Sequence, residues 1–374
     1  MSETTHGGRV LEASKALGLP LGDIIDFSAN INPLGPPRGL GKVLRDSIPS
    51  LVHYPEIGAE SLVAALARHD SLPVWSVTAG AGSTPLIYAL ARLLRPRSHL
   101  IVAPAFAEYG AALEAAGCGE ARYLPLEEDS GFLLGPGAVD AILADGPDLV
   151  VLANPANPTG RLVPPGSLAR LVEASARGRG FTLMIDEAFM GFCRGTGSAL
   201  ALVPRCPRLV VLRSLTKIFA VPGLRLGYLA SGDRELMAGL AASAEPWHIN
   251  TMAQNAGLFF LGRGAFARRT PGATAALRSL LAGTVAPFLE TLPSDANFIV
   301  GRLRRGRKAD LIRHLFQRAI LVRDLDGMPG MPPGFLRLAV RPRPEIARLG
   351  AALGDFFAPR RASPGRGAGG GRHA

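Results

Sequence analysis

A single lysine, Lys217, lies in an otherwise apolar and hydroxylic run, SLTKIFAVPGLRLGY, at residues 214–228. Hydroxyl side chains flank it at Ser214 and Thr216, and Arg225 follows a Pro-Gly turn. A surface lysine usually has charged neighbours, whereas an amine that must react needs a partly dry pocket. The run therefore predicts a reactive amine, and the nearby hydroxyls and guanidinium indicate that its partner carries a phosphate.

Two further segments place polar groups directly after apolar runs. LMIDEAF, at residues 183–189, ends a buried run with Asp186 and Glu187. Because an unpaired buried charge is costly, we expect Asp186 to face a protonated ring nitrogen. A structural ion pair is the alternative. A metal site is not supported, because no histidine pair lies nearby. In NPANPTG, at residues 154–160, two Asn-Pro steps favour an extended path that places the Asn157 side chain as an amide donor. Alternatively, this proline-rich loop only directs the chain to the next helix.

A glycine turn and an aromatic residue are weaker signals. TAGAGSTPLIY, at residues 78–88, predicts a strand, a turn and a helix start, where Gly82 allows close approach and Ser83 lies near free N–H groups that favour an anion. An ordinary tight turn would explain the same pattern. Phe106, in APAFAEY, is suited to stacking on a ring, although core packing is the usual role of such a residue.

Together these residue types meet the requirements of one cofactor, pyridoxal 5'-phosphate, which needs an amine for its aldehyde, donors for its phosphate, an aspartate at its ring nitrogen and a donor to its ring oxygen. Lys217 and Asp186 are the predicted catalytic residues, and no metal is expected. The residues predicted to bind the cofactor are Gly82, Ser83, Phe106, Asn157, Asp186, Ser214, Thr216, Lys217 and Arg225.

The elements that must position these residues follow an alternating order. From about residue 75 to 230, short β-branched runs alternate with stretches of helical periodicity, which predicts crossover units and a mostly parallel sheet in an α/β fold. Ligands bind beyond the carboxyl ends of such strands, so the polar strand ends are expected to converge. Residues from about 265 to 357 predict a smaller α/β unit with a basic helix near 306–319 and strands in AILVRD and FLRLAVR.

Composition limits the class of protein. With 48% hydrophobic residues in 374, the chain is expected to form a sizeable core. Three cysteines without a CxxC pair favour neither a disulfide framework nor a zinc site, and fit a reducing compartment. The N-terminus lacks the pattern of a signal peptide, and no apolar run approaches the ~20 residues of a membrane span. We therefore expect a cytoplasmic protein without a membrane partner.

The formal charge of +11 raises the alternative of a nucleic-acid-binding protein. However, four arginines lie in the Gly-rich tail PRRASPGRGAGGGRHA, and no aromatic residues interleave the other basic runs. A pocket that binds a phosphorylated or carboxylated small molecule explains this positive charge better than a nucleic-acid-binding surface does. We therefore expect no nucleic-acid partner.

The segments NPANPTG, DEAF and SLTKIFAVPGLRLGY resemble those of the class I and II aminotransferase family of pyridoxal phosphate enzymes, of fold type I. The resemblance spans nearly the whole chain. It implies a transferase-like large domain with a mostly parallel central sheet at residues 51–262 and a smaller α/β domain at 263–358. Residues 1–50 would form an N-terminal arm and part of the small domain, and residues 359–374 a disordered Arg- and Gly-rich tail whose role the sequence does not indicate.

Within the family, HGG followed by DFSANINPLGPP resembles the threonine-phosphate decarboxylases of cobalamin biosynthesis. These lyases convert L-threonine O-3-phosphate to (R)-1-amino-2-propanol O-2-phosphate and carbon dioxide. Phe189 of DEAF agrees, since the aminotransferases of this branch usually carry tyrosine there. Histidinol-phosphate aminotransferase is the alternative. A regulator that binds the cofactor without catalysis would need a further DNA-binding domain, for which the chain has no room.

The same resemblance implies the substrate contacts. Arg337 would bind the carboxylate, while Arg323 and His6 would hold the phosphate, because a doubly anionic substrate suits two arginines. Tyr54, in HYPEIG, would reach the cofactor phosphate of a neighbouring subunit, so that the active site belongs to a homodimer. The implied substrate-binding residues are His6, Gly7, Asn30, Asn157, Arg323 and Arg337.

Overall fold

The computed structural model describes residues 7–177, 180–195 and 197–358. The helices are α1 (Val10–Leu17), α2 (Leu40–Ser47), α3 (Glu60–His69), α4 (Ser83–Leu94), α5 (Glu108–Ala115), α6 (Pro136–Asp145), α7 (Pro165–Ala176), α8 (Leu215–Ile218), α9 (Arg234–Ser243), α10 (Thr251–Leu261), α11 (Gly264–Val285), α12 (Lys308–Phe316) and α13 (Arg343–Phe357). The strands are β1 (Ile25–Asp26), β2 (Val77–Gly80), β3 (His99–Ala103), β4 (Tyr123–Pro125), β5 (Leu149–Ala153), β6 (Thr182–Asp186), β7 (Leu209–Ser214), β8 (Gly227–Ser231), β9 (Leu289–Thr291), β10 (Phe298–Leu303), β11 (Ile320–Leu321), β12 (Arg323–Asp324) and β13 (Phe335–Ala339).

The central sheet has seven strands in the order β2-β8-β7-β6-β5-β3-β4. The strands from β3 to β7 are parallel to one another, while β8 runs antiparallel to both β2 and β7. The expected α/β fold with a mostly parallel sheet is therefore confirmed. The sequence reasoning did not identify β8, which begins at the end of the lysine-containing run, or the short edge strand β4.

Helices cover both faces of this sheet, which explains the continuous apolar runs of its strands. In β5, Val150 and Leu152 pack into one hydrophobic cluster and Leu149 and Val151 into another. Successive side chains of a strand point to opposite faces, so the two clusters lie on opposite sides of the sheet. The sheet is thus held rigidly, and its strand ends are fixed with it.

A second unit is built on an antiparallel sheet of four strands, β12-β13-β10-β9. Its core combines residues of α11, α12 and α13 with the buried Ile25 and Phe27 from the N-terminal segment. Strand β1 pairs in parallel with β11, and the Ala339 amide donates a hydrogen bond to the Phe27 carbonyl at 2.8 Å. The N-terminal segment therefore packs with the C-terminal unit, while the exact domain boundaries stay a prediction.

The segment AILVRD forms two short strands in different sheets instead of the single strand we expected. Ile320 and Leu321 pair with β1, whereas Arg323 and Asp324 pair with β13. The chain leaves one sheet and joins the next within three residues, and this change places Arg323 beside Arg337 across the β12–β13 register.

Two expectations concern other parts of the chain. The predicted disordered tail at 359–374 and the predicted substrate contact His6 lie outside the described residues. In the part of the chain that the structure does describe, no helix combines the length and apolar character needed to cross a bilayer.

Candidate active site

The polar strand ends surround one cavity of about 210 Å³. Strands β5, β6 and β7 lie side by side in parallel, with Ala153 in register with Asp186 and Asp186 in register with Leu212, so the residues that follow them converge. Most of the site residues predicted from sequence line this cavity. They are Gly7, Asn30, Gly82, Ser83, Phe106, Asn157, Asp186, Ser214, Thr216, Lys217, Arg225, Arg323 and Arg337.

Two predicted residues are not brought into this group. His6 falls in a range that the structure does not describe, although the adjoining Gly7 lines the cavity. Tyr54 does not line the cavity of its own chain: it is 79% exposed and stacks on Trp247 with the ring centroids 4.4 Å apart. Its position neither supplies nor excludes a contact with another subunit.

Lys217 lies on the four-residue helix α8, directly after β7. Burial, together with the nearby positive charges of Arg337 and Arg225, lowers the pKa of the Lys217 amine from 10.5 to about 8, and Asp186 acts in the opposite direction. Over the described ranges no hydrogen bond or ion pair holds the Lys217 Nζ atom. A partly buried amine of lowered pKa without such a partner is suited to nucleophilic attack.

Asp186 is 7% exposed at the end of β6, and two donors fix its carboxylate. The Tyr109 hydroxyl donates to Oδ2 at 2.7 Å, and the Ala188 amide donates to Oδ1 at 2.8 Å. Burial raises the pKa of the Asp186 carboxyl above its ordinary value, while these two hydrogen bonds act to lower it. The hydrogen bonds therefore favour an ionised carboxylate in a dry site, which is the state needed to pair with a protonated ring nitrogen.

The other carboxylate of this strand end, Glu187, has a structural role. Its side chain is fully buried, accepts a hydrogen bond from the Ala199 amide at 2.7 Å and pairs with Arg213 Nη1 at 2.9 Å. Of the two interpretations considered for the acidic pair, an ion pair therefore applies to Glu187. Asp186 faces the cavity instead.

Glycines and polar side chains in and beside the cavity form a cradle of potential anion donors. Gly82 precedes α4 with φ of 97°, and a Cβ atom there would lie 2.7 Å from Arg225 Nη2. A Cβ atom on Gly227 would lie 2.8 Å from the Ser83 amide. The Ser214 and Thr216 hydroxyls lie 2.9 Å apart at the same cavity. Two glycines thus allow backbone, guanidinium and hydroxyl donors to approach one anion.

Arg323 and Arg337 enter the cavity from the second unit and are only 8% and 7% exposed. Arg337 Nη1 donates to Asn157 Oδ1 at 2.6 Å, and Nη2 donates to the Ser28 carbonyl at 3.0 Å. Its Nε is buried without a hydrogen-bond partner in the described structure. Burial and the positive charge of the adjacent Arg323 lower the pKa of Arg337, because both disfavour the charged guanidinium. This arrangement favours binding of an anion.

The sequence reasoning did not identify several residues of this site. Ser28, Ala29, Ala188 and Met328 also line the cavity. Tyr109 was overlooked, although its spacing from Phe106 in PAFAEY, about one helical turn, was a usable signal: the two rings meet edge to face with their centroids 5.6 Å apart. The contact between Tyr109 and Asp186 joins residues 77 positions apart, so no local pattern indicates it.

The donors and acceptors present fit pyridoxal phosphate. A cradle that a Cβ atom would obstruct suits a phosphate, a fixed carboxylate suits the ring nitrogen, and a partly buried amine of lowered pKa suits the aldehyde. Asn157 and Phe106 line the same cavity, as contacts with the ring oxygen and the ring face require. Throughout the described ranges, no group of three His, Cys, Asp or Glu residues is arranged to hold a metal ion.

Comparison with known proteins identifies the family. The family described as "Aminotransferase class I and II" matches residues 22–353. The chain belongs to this family. It is similar to the threonine-phosphate decarboxylase of Salmonella typhimurium, with 37% identity over 94% of this chain and 96% of that protein. The predicted family and its cofactor, pyridoxal phosphate, are therefore confirmed.

Two solved structures share the fold. The histidinol-phosphate aminotransferase of Clostridium acetobutylicum has a TM-score of 0.82 at 25% identity, covering 89% of this chain and 99% of that one. The L-threonine-O-3-phosphate decarboxylase of Porphyromonas gingivalis has a TM-score of 0.80 at 26% identity, with the same coverage. Two proteins named for different activities thus share the fold of this chain, so the fold alone does not distinguish their reactions.

The lowered pKa of Lys217 predicts how the apoenzyme captures its cofactor. Only the neutral amine attacks an aldehyde, so the rate of capture should rise with pH and reach half its maximum near pH 8. Stopped-flow absorbance after addition of pyridoxal phosphate measures this rate, with N-acetyl-lysine methylamide as the control amine. A half-maximum near the ordinary lysine value of 10.5 would contradict the effect of burial.

The hydrogen bond from Tyr109 predicts a second pH effect. Tyr109→Phe removes a donor that lowers the pKa of Asp186, so the carboxylate should protonate at higher pH and the acid limb of the kcat/KM profile should move upward. At neutral pH we expect a loss of roughly tenfold, the value of a hydrogen bond to a charged group. Tyr88→Phe, which removes a hydroxyl bonded to Glu108 at 2.8 Å, is the matched control. An acid limb identical in the two variants would disprove this role of Tyr109.

Proposed function

We propose that the protein decarboxylates L-threonine O-3-phosphate to (R)-1-amino-2-propanol O-2-phosphate and carbon dioxide in cobalamin biosynthesis. The observation that carries this proposal is the pair of buried arginines, Arg323 and Arg337, in the same cavity as Lys217. The substrate carries a carboxylate and a phosphate, and these arginines offer a positive charge to each. The threonine-phosphate decarboxylase relative of Salmonella typhimurium, similar over nearly its whole length, supports the assignment.

The cofactor would be held by the residues predicted from sequence. Lys217 would bind its aldehyde, Asp186 its ring nitrogen and Asn157 its ring oxygen, with Phe106 against the ring face. The phosphate would lie between the hydroxyls, backbone amides and guanidinium of the cradle, namely Gly82, Ser83, Ser214, Thr216 and Arg225. When bound, pyridoxal phosphate supplies a ring that accepts the electron pair left at the substrate Cα as the carboxylate departs.

Orientation by the arginines selects the bond that breaks. Asn157 and the Ser28 carbonyl fix the Arg337 guanidinium, and its Nε is free to donate to the substrate carboxylate. Arg323, with His6, would bind the phosphate at the other end of the substrate. Holding both anionic ends would fix rotation about the N–Cα bond of the substrate and so determine whether the carboxylate or the proton on Cα is placed to leave.

Lys217 handles the proton in the second half of the reaction. With a pKa of about 8, its Nζ can accept a proton and return it near neutral pH. We propose that the protonated Lys217 Nζ donates to Cα after carbon dioxide leaves. Walls formed by Phe106, Phe189 and Met328 limit the access of water to this position.

Supply of a single substrate tests the function directly. The purified holoenzyme should release carbon dioxide from L-threonine O-3-phosphate without any oxo acid, because decarboxylation needs no amino-group acceptor. Trapped gas and chromatography of the phosphorylated amino alcohol measure the two products, and Lys217→Ala is the inactive control. Turnover of histidinol phosphate that depends on 2-oxoglutarate, with no release of carbon dioxide from threonine phosphate, would establish the aminotransferase alternative.

We also propose that the protein is a cytoplasmic homodimer whose subunits share each active site. Apolar side chains cluster on the exposed segment before α3 and include Val52, which is 81% exposed. Such a surface is suited to burial against a second copy. Three free cysteines fit a reducing compartment. The exposed residues of this segment are Ile48, Leu51, Val52, Tyr54 and Ile57.

Mixed dimers test the shared site. If Tyr54 serves the neighbouring subunit, a hybrid of Tyr54→Ala and Lys217→Ala chains contains one intact site and one that lacks both groups. Random exchange of equal amounts should therefore restore about a quarter of the wild-type activity from two inactive or weakened preparations. Native mass spectrometry confirms that hybrids have formed. Hybrids that are no more active than the parent variants would show that Tyr54 serves its own chain or neither.

A further inference from the structure

Helix α8, which carries Lys217, is too short to satisfy its own last carbonyl groups. It spans four residues, and the final carbonyls of any helix lack partners within it. The nearby Ala220 amide donates to the Lys217 carbonyl at 3.3 Å, and a distant residue supplies further donors. The Asn32 backbone amide donates to the Lys217 carbonyl at 3.2 Å, and Asn32 Nδ2 donates to the Ile218 carbonyl at 2.6 Å.

Asn32 is itself held firmly. It is 2% exposed, and its Oδ1 accepts a hydrogen bond from the Leu34 amide at 3.0 Å. Its Nδ2 also lies 3.4 Å from the Thr270 hydroxyl on α11, the first helix of the second unit. Each polar atom of the side chain is thus used, and the side chain links three parts of the chain that are remote in sequence.

The segment that carries Asn32 also reaches the substrate side of the cavity. We call residues 28–32 the N-terminal strap. The Ser28 carbonyl accepts a hydrogen bond from Arg337 at 3.0 Å, and Asn30 lines the cavity with its Oδ1 buried and without a hydrogen-bond partner in the described structure. One five-residue strap therefore contacts the arginine assigned to the substrate, the cavity wall and the helix of the reactive lysine.

We propose that Asn32 is a positioning residue that fixes α8 and thereby directs the Lys217 amine at its target. The inference rests on the proposed function of Lys217 as the cofactor-binding amine. Asn32 does not line the cavity, so it acts through the α8 backbone. Loss of its amide donor leaves the Ile218 carbonyl unsatisfied and allows the helix that bears the amine to shift.

Two variants test this role. Asn32→Asp keeps the acceptor for Leu34 and replaces the donor with an oxygen that repels the Ile218 carbonyl; Asn32→Leu removes both interactions at similar volume. We expect kcat for threonine phosphate to fall roughly 10- to 100-fold while KM changes less than about threefold, because a displacement of about 1 Å in a reacting group has effects of this size. Cofactor capture by the apoenzyme should slow by a similar factor.

The control is Asn255→Leu, which also removes a hydrogen bond between distant segments. In the wild type, Nδ2 of the half-buried Asn255 donates to the Ser47 hydroxyl at 2.9 Å. Hydrogen exchange of the apoenzyme peptide 214–228 should accelerate in Asn32→Asp and stay unchanged in the control. If both residues are merely structural, all variants will lose thermal stability but capture the cofactor at the wild-type rate per folded molecule, which would overturn the proposal.

The capture and exchange measurements use no substrate, so they separate this inference from the proposed reaction. Slow capture in Asn32→Asp supports the positioning role even if the wild-type enzyme releases no carbon dioxide from threonine phosphate. If Asn32→Leu does not fold, Asn32→Asp alone decides the question. If that variant captures the cofactor and exchanges its amide hydrogens at the wild-type rates, Asn32 does not position Lys217.

Discussion

The gathering of four positive charges, two of them on buried arginines, around a single carboxylate is the constraint on which this active site depends. Among the cavity-lining residues of the described structure, Lys217, Arg225, Arg323 and Arg337 are basic, and Asp186 alone is acidic. Such an excess of charge is costly in a dry site unless anions enter it. In the proposed reaction, phosphate and carboxylate groups of the cofactor and substrate would meet this need. Burial, together with the charges of Arg337 and Arg225, lowers the pKa of Lys217 and so favours the reactive neutral amine.

Both units of the fold contribute to this charge distribution. The parallel sheet presents Lys217, Asp186 and Asn157 at its strand ends, while the antiparallel sheet presents Arg323 and Arg337. The hydrogen bond from Arg337 to Asn157 joins the units at the cavity itself.

Residues behind the cavity wall fix those that line it. Tyr109 orients Asp186, and Asn32 satisfies the short helix that bears Lys217. The buried pair of Glu187 and Arg213 secures the chain next to Asp186, since removing one partner would leave an uncompensated charge. Proteins named for different activities share this fold, which is consistent with a division of roles between the fold and the cavity side chains. In the proposed function, the fold holds the amine and the carboxylate, and the substrate contacts select the reaction.

Local sequence was enough to indicate the chemistry, because the motif around Lys217, the carboxylate after a buried strand and the alternation of strands and helices all depend on neighbours within a few residues. These patterns predicted the α/β fold, the family and the cofactor. Which distant groups meet became clear only from the folded chain. The contacts of Tyr109 with Asp186, of Asn32 with Ile218 and of Arg337 with Asn157 span 77, 186 and 180 positions. The division of AILVRD between two sheets likewise depended on strand pairing across the whole chain, which no local periodicity encodes.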